Sequence, residues 1–61
     1  MIEFILNGRK EEAMEITQDQ ISELPYDIEF IGRFKSIKGN LISVYKDEES
    51  DCYLARVIYR A

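Results

Sequence analysis

The sequence predicts a small α+β domain, mostly β: a five-stranded antiparallel sheet curled into a small SH3-like barrel with one short helix. Three observations carry this. Residues 27–61 alternate apolar and polar side chains in three runs broken by two polar turns, the period-two signature of half-buried strands. Residues 2–6 repeat the pattern, with Ile2, Phe4 and Leu6 on one side. Thr17-Gln18-Asp19-Gln20, ahead of Pro25, has the threonine and glutamine spacing of a capping box and starts a helix.

The first strand ends at Asn7-Gly8, a turn signal. A two-residue turn there sets Glu3 against Glu12 and scatters the apolar residues over both faces. A five-residue loop, Asn7 to Glu11, sets Leu6 opposite Glu12, Phe4 opposite Met14 and Ile2 opposite Ile16, and is the expected register. The rival for this stretch is a helix from Arg9 to Leu24, since Met14, Thr17, Ile21 and Leu24 recur at helical spacing. Thr17 as an N-cap favours the short helix instead, spanning about 18–24 and stopped by Pro25, with Ile21 and Leu24 docking it on the sheet.

Strands are expected at about 2–6, 12–16, 27–37, 41–46 and 51–60. The loop Lys38-Gly39-Asn40 pairs Phe34 with Val44, and the loop 47–50 pairs Val44 with Tyr53. These registers turn Ile28, Phe30, Phe34, Ile42, Val44, Tyr53, Ala55, Val57 and Tyr59 inward. Gly32 in mid-strand marks a bulge or bend. The opposite face mixes aliphatic residues with Tyr45 and four cations, Arg33, Lys35, Arg56 and Arg60, where a wetted sheet face alternates cleanly. The runner-up architecture is β-α-β-β-β, one helix packed on a four-stranded antiparallel sheet.

Sixty-one residues make a single domain, 1–61. At about this length only about 60% of the unfolded chain's surface is buried, so stability is marginal. One cysteine forms no internal disulfide, so a well-packed core or burial against a partner must supply the rest. Cys52, flanked by Tyr53 and Leu54 on a strand, reads as a small buried hydrophobe. A lone cysteine, with neither a leader nor a long apolar run, predicts a cytoplasmic protein without a membrane role.

Chemistry is narrowed by the absence of histidine. No Ser-His-Asp, Cys-His or two-histidine metal arrangement is available. The run Asp47-Glu48-Glu49-Ser50-Asp51 lacks the alternate-residue ligands and central glycine of a calcium loop. No glycine-rich phosphate loop is present. The expectation is a non-enzymatic protein with no catalytic residue, metal or cofactor, and no stretch resembles a known family.

Charge distribution points to partners. The net charge is −4, yet residues 30–46 carry only cations, Arg33, Lys35, Lys38 and Lys46, while residues 9–29 carry seven acids against Arg9 and Lys10. The expected function is binding of another protein, as a regulator or inhibitor, through Arg33, Lys35, Tyr45, Leu54, Arg56 and Ile58. An aliphatic centre with arginine and tyrosine is what protein interfaces use. The partner is a different protein or a second copy of the chain. An acidic surface, Glu11, Glu12, Glu15, Asp19 and Glu23, is a second candidate contact. Short autonomous chains of this kind are often regulators from phages or mobile elements, a prior from size alone. The alternative is a single-stranded nucleic-acid-binding barrel using Arg33, Lys35, Tyr45 and Arg56, disfavoured because the whole chain is acidic.

Overall fold

A computed structural model describes residues 1–24 and 28–61. Five strands and one helical turn follow in the order β1 Ile2–Leu6, β2 Arg9–Glu15, α1 Gln18–Ile21, β3 Ile28–Lys35, β4 Leu41–Asp47 and β5 Cys52–Tyr59. The strands form one sheet in the order β1-β2-β5-β4-β3, curled into a half-barrel. The sheet is mixed rather than wholly antiparallel, because β2 runs parallel to β5, with Met14 beside Leu54 and Glu15 beside Ala55. A parallel neighbour of this kind requires a crossover connection, and nothing in the local pattern of either strand announces it. At one point the edges meet. Phe4 bridges Ser36, and the Ile37 amide donates to the Glu3 carbonyl at 2.8 Å.

The first turn corrects the expected five-residue loop. It is a two-residue turn in which Asn7 and Gly8 take φ of 53° and 78°, so that Leu6 opposes Arg9, Phe4 opposes Glu11 and Glu3 opposes Glu12. Mirror-image turns with two positive φ values match the right-handed twist of the flanking strands, and that local preference outweighs apolar alternation. The mismatch falls at the rim, where Arg9 is exposed and Glu11 half-buried. Only Ala13 of β2 enters the core, leaving room for the Phe4 ring above it.

Both later turns lie two residues from their expected registers. The β3–β4 loop spans residues 36–40 and pairs Phe34 with Ile42. The β4–β5 loop spans residues 48–51 and pairs Val44 with Ala55. A two-residue slip preserves which side each residue faces. Phe34, Ile42, Val44, Tyr53, Ala55 and Val57 therefore stay inward as expected and join Phe4 in the core. Phe4 sits between Phe34 and Tyr53, with ring centroids 5.2 and 5.6 Å away.

The bulge predicted at Gly32 is present, between Phe30 and Gly32. Its consequence reverses the expectation for Ile28 and Phe30. One additional residue, Ile31, flips every side chain before it, so Phe30 pairs with Tyr45 on the outward side and is 54% exposed. Tyr59 also departs from its inward assignment. A second irregularity, between Leu41 and Ile42, sets Tyr59 opposite Leu41, and it is 72% exposed.

The capping box at Thr17 is as expected: the Gln20 amide donates to Thr17 Oγ1 at 3.2 Å, and the Thr17 amide donates to Gln20 Oε1 at 2.7 Å. The helix ends at Ile21, shorter than the predicted 18–24. The proposed stop at Pro25 and the strand start at Asp27 lie outside the described residues. Ile16 extends the parallel ladder by donating to the Ala55 carbonyl at 2.9 Å, which puts its side chain on the Met14 side. It is buried at 6% exposure yet apart from the Phe4 cluster, and Ile21 and Leu24 are half-buried, also apart from it. Ile16 is therefore buried on the outward side.

Candidate protein-binding face

Outward side chains fall into rows across the strands, because paired residues in adjacent strands share a side. One row reads Phe30, Tyr45, Leu54, Met14 across β3, β4, β5 and β2. The next reads Arg33, Ser43, Arg56. Phe30 and Tyr45 are in ring contact, with centroids 5.4 Å apart and planes tilted by 57°. Ser43 is only 4% exposed although it faces outward between exposed Arg33 and half-buried Arg56.

The six residues singled out from the sequence divide into two groups. Arg33 and Lys35 are exposed on β3 beside half-buried Tyr45. Leu54, Arg56 and Ile58 are half-buried on β5, on the side where the buried Ile16 lies. The predicted face is thus partly buried within the chain, and its open part is the β3–β4 side. There the structure adds Phe30, Leu41 and Tyr59, all exposed. Alternation alone places Phe30 inward, because it does not register the change of parity that the bulge brings; the isolated glycine between apolar strand residues is the available signal.

Arg33 and Lys35 have no ion-pair partner among the described residues; the pairs found there are Lys10–Glu3 at 2.9 Å, Lys46–Asp51 at 2.9 Å and Arg60–Glu15 at 3.3 Å. Arg56 is half-buried, its Nε without an acceptor among the described residues. The hydrogen bond from Lys10, and then its charge, holds the Glu3 carboxyl below its ordinary value, and Lys10 is raised in return. Lys46 is raised by its bond to Asp51 and lies 4.8 Å over the Tyr53 ring.

Asp47 closes the acidic end of the same face. Its Oδ1 accepts from the amides of Glu49 and Ser50 at 3.1 and 3.4 Å. Bonding from Ser50, with these amides, lowers its carboxyl against the opposing effect of burial. The 47–50 segment is accordingly a capped turn, its exposed acids Glu48 and Glu49 pointing to solvent. Among the described residues no three acids or thiols converge to hold a metal ion.

No protein-family model, curated protein or solved structure matches this chain.

Cys52 corrects a further expectation. It is exposed, with its Sγ donating to the Ser50 carbonyl at 3.4 Å, because it begins β5 at the turn rather than sitting between packed neighbours. The acidic residues do not form one surface. Glu12 is exposed and faces outward, Glu15 is tied to Arg60, Glu11 stands at the inner rim opposite Phe4, and Asp19 and Glu23 lie on or after the helical turn. No helix among the described residues is long and apolar enough to cross a membrane.

Proposed function

We propose that the chain is a small non-enzymatic protein-binding module, a cytoplasmic regulator or inhibitor of another protein, that uses the outward face of β3 and β4. The observation that supports this is the company Phe30 keeps. An exposed aromatic in ring contact with Tyr45 stands beside Arg33 and Lys35, and aromatic and arginine side chains are the usual anchors of protein contacts. Leu41 and Tyr59 extend the apolar area at the same side. The test is affinity capture from the native host, comparing wild type with Phe30→Glu plus Tyr45→Glu. A partner retained by the folded variant at wild-type yield counts decisively against this face.

A second reading, binding of single-stranded nucleic acid, gains from the same finding. Phe30 and Tyr59 join Tyr45 outward, so three rings accompany Arg33, Lys35 and Arg56 on that side. Rings under bases and cations on phosphates are the means such proteins use. The net charge of −4 opposes it. Micromolar binding of an oligothymidylate that weakens as salt rises would move the assignment to nucleic acid.

A further inference from the structure

Taken as a protein contact, the outward β3–β4 face has a symmetry that selects one occupant. Its side chains form three bands. Phe30 and Tyr45 are the middle. Exposed Arg33 and Lys35 stand on one side of them, with exposed Leu41 and Tyr59 in the Lys35 row. Asp47, with exposed Glu48 and Glu49 in the turn that follows, stands on the other. A half-turn about an axis lying in the face, along the Phe30–Tyr45 row, exchanges the cationic band with the acidic one. Ring then lies on ring, and the acidic turn of each copy, which follows β4, lies diagonally across from Arg33 and Lys35 on β3 of the other, within reach of their long side chains. This is an isologous, closed contact. A polyanion would satisfy the cations but meet the acidic turn as well. A second copy matches all three bands.

The economy of the core points the same way. Among the described residues only Phe4, Ile16, Ile42 and Val44 of the buried hydrophobics are larger than alanine, while eight large hydrophobics are exposed, Phe30, Ile31, Leu41 and Tyr59 among them. Small domains without a disulfide or metal commonly gain stability by oligomerising. In a molecule measuring 29 × 24 × 17 Å, the ~800 Å² per partner of a stable interface extends well beyond one pair of rings. A contact centred on Phe30 and Tyr45 therefore includes both charged bands. We infer that, when no other partner does so, a second copy of this chain occupies the β3–β4 face, packed about a two-fold axis along Phe30 and Tyr45. The inference rests on the reading of that face as a protein contact.

Two charge-reversal variants at exposed positions test it, Arg33→Glu with Lys35→Glu and Glu48→Lys with Glu49→Lys, by sedimentation over about 1–100 µM. Wild type is expected to be dimeric. Each variant alone should associate at least about 100-fold more weakly, because like charges then meet across the axis. An equimolar mixture of the two should recover a dimer with one copy of each, which also shows that both variants are folded. A wild-type dimer indifferent to both variants, or a mixture that stays monomeric, overturns the inference. So does a monomeric wild type. In that last case, loss of an identified partner in Phe30→Glu plus Tyr45→Glu leaves the protein-contact reading standing. Salt-sensitive oligothymidylate binding by the monomer, with no such loss, removes both.

Discussion

Phe30 faces Tyr45 across β3 and β4, ring centroids 5.4 Å apart, on the side of the sheet away from the Phe4 core. That placement depends on a single residue of chain length. Ile31 is the additional residue of a bulge, and Gly32 beside it holds φ at 155°. Removing the bulge would turn Phe30 toward a space that Phe4, Phe34 and Tyr53 already fill.

Gly32→Ala should therefore destabilise the fold by about 1–3 kcal/mol, the cost of holding a side-chain-bearing residue in that backbone region. A Cβ there meets Phe34 Cε1 at 3.7 Å, ordinary contact, so the cost is conformational rather than steric. Deleting Ile31 should be worse, because it sends Phe30 inward. Urea denaturation of the two variants ranks them, and an Ile31 deletion as stable as wild type would contradict this account of the bulge.

Which side each central residue faces was legible in the sequence; where the strands are paired was less so. Ile42, Val44, Ala55 and Val57 lie inward as alternation requires, and Thr17 caps its helix through the expected bonds. Alternation has period two, so it is blind to a two-residue slip, and both long turns differ from expectation by that amount. A bulge changes parity, and only Gly32 hinted at one. The β2–β5 pairing joins segments some forty residues apart, a relation that no local window contains. For the candidate site, Arg33, Lys35 and Tyr45 were found from the pattern, but Phe30 was hidden by the bulge. Leu54, Arg56 and Ile58 are half-buried, which alternation alone does not indicate.

The Asn7-Gly8 turn gives a stereochemical prediction. Nothing lies within 4 Å of a Cβ built on Gly8, whose φ is 78°. Gly8→Ala should cost about 1–2 kcal/mol through the left-handed backbone alone. Replacing Gly8 by D-alanine in a chemically synthesised chain should leave stability unchanged or raise it, since that isomer prefers positive φ and restricts the unfolded chain. Equal thermal midpoints for the L and D variants would argue against the two-residue turn.

Phe4→Ala removes the ring that Phe34 and Tyr53 pack against. Truncating a fully buried phenylalanine costs about 3–5 kcal/mol, whereas a chain of this length has a total stability of about 3–9 kcal/mol. The variant should be largely unfolded at 37 °C by far-ultraviolet circular dichroism. Phe30→Ala, at an exposed ring, should remain folded in the same measurement; the reverse ranking would exchange the inner and outer faces.

Acid sensitivity should centre in part on Asp47. Its carboxyl is lowered by bonding from Ser50 and the Glu49 and Ser50 amides. A group with a lowered folded-state pKa contributes stability that is fully present above its unfolded value, about pH 4, and is lost as pH falls through the folded value. Asp47→Ala should therefore be less stable than wild type at neutral pH, and the gap should close as pH is taken below about 4. Lys46, raised by its bond to Asp51, behaves oppositely: its contribution persists below its ordinary value and disappears only as pH rises through the elevated one. Denaturation of wild type and Asp47→Ala across the acid range distinguishes the turn cap from a merely solvated carboxylate, for which the two curves would run parallel.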